Sequence, residues 1–309
     1  MKKPVKNTNI SAWCFWENSP SNRTWNTWSE KKMRIIRFLA GDKRILYGAF
    51  NQETPARARL IEGDIFGNYK ITDQELPVAK LLAPVVPVNI LALGINYKEH
   101  GDETGLSYPD QPILFIKATT SIIGHEWPIA LPEAGPNHVD YEAELAVIIG
   151  RKAKNITPSE VMDYIFGYTC ANDVSARDWQ IDKQKKQWAR GKSFDTFCPL
   201  GPWIVTKDEI ADPDNLKIKT LLNGRALQDS TTAQMIFPIR EIVSNLSMSL
   251  TLPPGTVILT GTPEGVGFTR RPPLFLQEGD MVSVEIEKIG TLTNKVTREK
   301  NIKDEYLFL

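Results

Sequence analysis

The run Asp140-Tyr141-Glu142-Ala143-Glu144-Leu145-Ala146-Val147-Ile148-Ile149, closed by Gly150, restricts the fold more than any other part of the chain. From Leu145 on it is apolar at every position and of strand length, so the strand Tyr141 to Ile149 is covered on both faces and belongs inside a sheet. Side chains two apart share a face of a strand, which turns Glu142 and Glu144 one way and Tyr141, Ala143, Leu145 and Val147 the other. Two carboxylates on one face of a buried strand repel each other and lose hydration. They require a cation, a shared proton or basic partners.

The remaining patterns favour strands over helices. Arg34 to Leu39 and Arg44 to Phe50, joined at Gly41 and Asp42, read as paired strands, and Asp64 to Asn68 with Gly67 reads as another turn. Residues 33–85 are therefore expected to form a small strand-rich N-terminal domain, and residues 86–309 the larger part. Short apolar runs at Ile90 to Leu93, Ile113 to Ile116, Phe166 to Asn172, Thr256 to Thr260, Met281 to Ile286 and Thr291 to Val296 are strands, and Leu216 to Leu222 before Asn223 and Gly224 opens a hairpin. Helices are expected at Thr157, where Pro158 and Glu160 complete a capping pattern, from Ser175 through Trp188, and after Pro238 with Ile239, Ile242, Val243 and Leu246 on one face. No strand-helix alternation is sustained, so the expected class is α+β, mostly β, with mixed sheets. Residues 1–32 hold four of the eight tryptophans among Asn, Ser and Thr with no regular apolar period, and are expected to be a poorly ordered extension.

Composition excludes several classes of function. With 37 Lys plus Arg against 37 Asp plus Glu, the chain has no global attraction for nucleic acid or anionic lipid. Cys14, Cys170 and Cys198 are too few and too scattered for a disulfide framework or a thiolate zinc site, which points to a reducing compartment. The longest apolar region, Leu81 to Leu93, is broken by Pro84 and Pro87, so no membrane span is expected. The N-terminus lacks the apolar stretch of a secretory signal, and the expected location is the cytoplasm.

Candidate chemistry gathers at three places. Asp173 follows the strand Phe166 to Asn172 at a strand end, and with Glu142 and Glu144 it would suit a hard divalent ion, magnesium or manganese; a solvated acidic face paired with Lys or Arg is the competing reading. His100 and Glu103 are three apart, so one helical turn brings the carboxylate beside the imidazole to orient a general base, although Gly101 and Gly105 favour a mobile loop. Gly261-Thr262-Pro263-Glu264-Gly265 follows a strand, and its amides could hold a carboxylate or oxyanion. Gly191-Lys192-Ser193 lacks the earlier glycine of a phosphate-binding loop. Lys183, Lys185, Lys186 and Arg190 read as a solvated basic face, and His125 and His138 as structural.

In this order the pieces resemble the fumarylacetoacetate hydrolase family. The resemblance is carried by Gly94 to His100 with Glu103, Asp140 to Glu144, Asn172 to Trp179, Gly191 to Phe194 and Leu259 to Gly265, and spans about two thirds of the chain. It implies a β-roll of mixed sheets with a smaller N-terminal domain, assembled as a homodimer. It implies magnesium or manganese held by Glu142, Glu144 and Asp173, a catalytic set of His100, Glu103 and Lys192, and substrate contacts from Arg177, Gln180, Gly261 and Thr262. The activity expected from this resemblance is hydrolysis of a carbon-carbon bond in a 2,4-diketo acid, an acylpyruvate or fumarylpyruvate, through a metal-bound enolate. The alternatives are a decarboxylase or isomerase of a 2-keto diacid, of the oxaloacetate or 2-hydroxyhepta-2,4-diene-1,7-dioate type, and a catalytically silent metal-binding protein. The partner is a small 2-keto acid, with no nucleic acid and no membrane. One departure stands out: Ala118 follows Lys117, where many members have proline.

Overall fold

In the computed structural model, residues 34–50 and 55–302 are described; the extension expected over 1–32 lies outside them. Strands dominate, in the mixed arrangement that the apolar runs imply. The strand Ala143–Ile149 is buried at every residue and runs between Ile165–Asn172 on one side and Val257–Leu259 on the other. Its odd-numbered residues Leu145, Val147 and Ile149 enter the main apolar core with Tyr168, Ile218, Ile242, Val284 and Leu292. Each such side chain contributes about 1.5–3 kcal/mol by leaving water, which makes this strand the least able to shift register.

The large sheet continues through Val257–Leu259, paired in parallel with Ile90–Gly94, to Ile113–Lys117 at its edge. In the other direction Ile165–Asn172 meets Cys198–Thr206, which pairs with Arg34–Ala40. Arg34–Ala40 also pairs with both Ile45–Phe50 and Tyr69–Leu81, and Arg57–Gly63 lies between those two, so the four N-terminal strands close on themselves. Residues 34–81 thus join the rest of the chain through a shared sheet.

A second sheet is ordered Arg225–Thr231, Lys217–Leu222, Met281–Ile286, Gly290–Arg298 and Ile129–Leu131. Its hairpin turns at Asn223 and Gly224, with φ of 52° and 81°, the left-handed pair that such a two-residue turn needs. The helix Ile239–Ser249 buries Ile239, Ile242, Val243 and Leu246, the face that its spacing predicts. Among the described residues no helix is long and apolar enough to cross a membrane.

Two expected helices are cut short. At Thr157 the Glu160 carboxylate does accept from the Thr157 amide at 2.8 Å, but only a single 3-10 turn, Val161–Asp163, follows before Ile165 enters the sheet. The segment from Ser175 splits: Ser175–Ala176 pairs with Val139–Asp140, then come a helical turn over Asp178–Lys183 and a 3-10 turn over Trp188–Arg190. Lys185 and Lys186 take positive φ between them, which ends the helix.

Candidate active site

Sheet register assembles the acids. Ala143 lies opposite Asn172, and the Asp173 amide donates to the Glu142 carbonyl at 2.9 Å, so Glu142 faces Asp173 across the pair while Glu144 lies opposite Ala171. Residues opposite each other in an antiparallel pair share a face. All three carboxylates therefore project to the side away from the main core, are buried, and offer oxygens within 4.8 Å of one another. Glu144 Oε2 accepts from the Gly261 amide at 2.6 Å, whereas Oε1 is buried with no hydrogen-bond partner. An orphaned carboxylate oxygen beside two more hard oxygen donors fits magnesium or manganese better than a thiophilic metal.

Buried cations surround this cluster. Lys192 Nζ reaches Glu142 Oε2 at 2.7 Å and Asp173 Oδ2 at 2.6 Å. Lys117 Nζ reaches Asp173 Oδ1 at 2.5 Å and also donates to the Lys192 carbonyl. Arg177 pairs with Glu142 Oε1 at 2.7 Å and with Asp140 Oδ2 at 2.8 Å, and its guanidinium lies over the Phe268 ring. Burial by itself would raise the Glu142 carboxyl, but Lys192, Arg177 and the nearby His100 pull it down to about 2. For Glu144 burial and the like charges of Asp173 and Glu142 act together and push its carboxyl well up. Burial lowers the Lys192 ammonium, yet Asp173 and Glu142 outweigh it and hold its pKa above the usual value.

Beside the cluster, Lys98–Thr104 is a short helix closing at Gly105, where Gly101 and Gly105 suggest a loop. It brings His100 Nδ1 to 2.7 Å from Glu103 Oε1, the contact that the i, i+3 spacing predicts. Glu103 Oε2 accepts in addition from the Gly265 amide and the Thr269 hydroxyl, at 2.9 and 3.0 Å. These bonds overcome the effect of burial and leave the Glu103 carboxyl below its usual range. With Nδ1 engaged by a fixed carboxylate, Nε2 is the ring nitrogen that such an arrangement can offer to a ligand as acid or base.

Two of the residues expected to contact substrate have other partners. The Gly261 amide is spent on Glu144, and the Arg177 guanidinium on Asp140 and Glu142, with a further bond from Nη1 to Gln180 Oε1 at 2.9 Å. Gly261 itself is required there: its φ is 93°, and a Cβ would lie 2.8 Å from that of Asn96. His125 accepts from the Thr293 amide, as a structural histidine does. Lys117 and Gln228 bond to residues of this cluster and are given no role by the sequence, which names Asp140 only within the segment that carries the resemblance. Of Lys117 and Gln228, Lys117 carries a readable signal, a lysine ending the apolar run Ile113 to Ile116.

The profile described as fumarylacetoacetate (FAA) hydrolase C-terminal matches residues 89–297, and one described as Rv2993c-like, N-terminal, matches residues 33–84. A fumarylacetoacetate hydrolase domain-containing protein 2 homolog of Dictyostelium discoideum is 47% identical over 73% of this chain and 77% of its own. An oxaloacetate tautomerase of Xenopus laevis, designated mitochondrial, is 51% identical over 70% of this chain and 68% of its own. The crystal structure of a 2-hydroxyhepta-2,4-diene-1,7-dioate isomerase from Mycobacterium marinum superposes with a TM-score of 0.75 at 40% identity, over 86% of this chain and 99% of that one. The chain belongs to the fumarylacetoacetate hydrolase family and has its mostly β fold. Where the sequence leads one to expect a cytoplasmic protein, the Xenopus relative carries a mitochondrial designation.

Proposed function

We propose that this member of the family is an isomerase that interconverts the enol and keto forms of a 2-keto diacid, of the oxaloacetate or 2-hydroxyhepta-2,4-diene-1,7-dioate type. The carbon-carbon hydrolase expected from the sequence has weaker support, because relatives at 40% and 51% identity are named for isomerisation and tautomerisation. The observation that carries the reading is the His100–Glu103 pair beside three buried carboxylates, one of which has an orphaned oxygen. Enol to keto conversion takes a proton from the enol oxygen and adds one to the carbon next to the new carbonyl or, in a conjugated diene, to the far end of the conjugated system. It needs a positioned acid-base group and a stabilised enolate, with no attacking water and no departing fragment.

A divalent ion, magnesium or manganese, held by Glu142, Glu144 and Asp173 would polarise the 2-keto oxygen. His100 Nε2 moves the proton, and Glu103 stabilises the imidazolium that forms. Lys192, charged and fixed by two carboxylates, offers an ammonium hydrogen to the developing oxyanion. Arg177 braces Glu142, and Gln180 and Thr262 are the contacts left for the remaining substrate oxygens. The His100–Glu103 contact and the Lys192 ammonium paired with Glu142 and Asp173 support an enzyme over a silent metal-binding protein. A homodimer is the assembly we propose.

Enol-oxaloacetate, followed by its ultraviolet absorbance with and without added magnesium or manganese, provides the test. Faster loss of the enol without carbon dioxide release, and its absence in His100→Ala, supports the proposal. Cleavage of acetylpyruvate or fumarylpyruvate with no effect on enol decay would replace it with hydrolysis, and carbon dioxide release from oxaloacetate with decarboxylation.

A further inference from the structure

We infer that Gln228 is a positioning residue that leaves the hydroxyl hydrogen of Thr262 available only to a substrate oxygen; the inference rests on the enolising reading above. Gln228 lies on the second sheet, in the strand Arg225–Thr231, outside every motif singled out in the sequence, and is 1% exposed. All of its hydrogen-bonding capacity is used. Oε1 accepts from the Ala143 amide at 3.0 Å and the Thr220 hydroxyl at 2.6 Å, and Nε2 donates to the Pro263 carbonyl at 2.7 Å and to Thr262 Oγ1 at 2.9 Å.

Donor and acceptor chemistry allows one orientation of this amide. A backbone N–H only donates and a carbonyl only accepts, so Oε1 must face Ala143 and Nε2 must face Pro263. Nε2 has no lone pair to offer, and Thr262 Oγ1 therefore receives a hydrogen from Gln228. Its own hydrogen has to point elsewhere. Thr262 is buried, and among the described residues no other protein group is bonded to its hydroxyl. It directly follows Gly261, whose amide holds Glu144, so the free hydrogen belongs to the edge of the carboxylate cluster. A negatively charged substrate oxygen is the acceptor that suits it, through a charge-assisted bond set up before the substrate arrives. Through the Ala143 amide the same side chain also fixes the residue between Glu142 and Glu144.

The test is a double-mutant cycle on Gln228→Glu and Thr262→Val, read by calorimetric affinity for oxalate, a planar dianion like an enolate, at saturating manganese. In Gln228→Glu the new carboxyl, buried and protonated, keeps the Ala143 and Thr220 contacts and gives its one hydrogen to Pro263, so a lone pair then faces Thr262 and draws its hydroxyl away. Each single substitution is expected to weaken oxalate binding by about 10- to 100-fold, the range for a bond to a charged acceptor. The double variant should be within about 3-fold of Thr262→Val, because the two act through one hydrogen. Multiplying losses in the double variant, or wild-type oxalate affinity in Thr262→Val, would overturn the inference. Should Gln228→Glu fail to fold, Thr262→Ser against Thr262→Val decides: serine keeps the hydroxyl that Gln228 orients and should bind oxalate within about 3-fold of wild type, whereas equal losses in the two would overturn the inference. Absence of enol turnover in the wild-type protein would sink the isomerase reading, while the oxalate cycle would still decide the role of Gln228.

Discussion

Lys117→Met tests whether the buried charges form a balanced set. Around the carboxylate cluster, four buried acids, Asp140, Glu142, Glu144 and Asp173, meet three buried ammonium or guanidinium groups, Lys117, Arg177 and Lys192, which leaves one negative charge in excess when all of these are ionised. Lys117 is 1% exposed; its ammonium meets Asp173 Oδ1 at 2.5 Å and donates to two backbone carbonyls, of Lys192 and Val174. Removing one partner of a buried pair typically costs about 3–5 kcal/mol, because the other charge stays behind. Lys192 still holds Asp173 Oδ2 at 2.6 Å, so Asp173 is not left bare and the expected cost is about 3 kcal/mol, toward the low end of that range. At about 2–4 °C per kcal/mol for a domain of this size, the metal-free variant should melt about 6–12 °C below the wild type. A divalent cation among the carboxylates replaces much of the missing positive charge, so millimolar manganese should narrow the gap. Scanning calorimetry with manganese, and with a chelator in its place, measures both. A loss below about 2 °C in chelator, or a gap that widens with metal, would refute the charge-balance argument.

Two further predictions concern pH. Glu144 has its carboxyl pushed up, by burial first and then by Asp173 and Glu142; a raised carboxylate stabilises the fold at low pH and loses that contribution as pH rises through the folded value. Metal-free Glu144→Gln should lack this decline above pH 4.5, be more stable than the wild type at neutral pH, and gain no melting temperature from added manganese; parallel pH profiles for the two metal-free proteins would refute the raised carboxyl, and an undiminished gain from manganese would count against Glu144 as a metal ligand. The Glu103 carboxyl is held low by bonds from His100, Gly265 and Thr269 despite burial, so its contribution is complete above its ordinary value of 4.5 and is lost as pH falls through the lowered folded value. Glu103→Gln should flatten that acid limb in denaturation curves and reduce kcat by about 10- to 100-fold through the lost imidazolium partner; a kcat within about 2-fold of wild type would remove Glu103 from the mechanism.

What was legible in the sequence divides by the range of the interaction. Glu142 and Glu144 share a face because alternation is a property of one strand, and His100 meets Glu103 because i, i+3 is a property of one helical turn. Asp173 is harder, since its place opposite Glu142 depends on the register between two strands; only its position after an apolar strand hints at it. Local signals fail where the sheet competes for the same residues. At Thr157 the capping contact forms and the helix still stops, because extending it would take Ile165 and Phe166 from their pairing and burial in the sheet. Arg177 marks a different limit. The resemblance implies Arg177 as a substrate contact, and in the structure its guanidinium is paired with buried Asp140 and Glu142, two acids that together need a cation whether or not substrate is bound. Gln228 had no local signal at all: a glutamine on a hairpin strand is ordinarily solvent-facing, and it becomes a site residue only because the second sheet packs its strand against Ala143 and the loop at Thr262 and Pro263. Both cases have one cause. Where polar groups are buried, every donor and acceptor must be matched, and that matching, done across the fold, decides which side chains are free to meet a ligand.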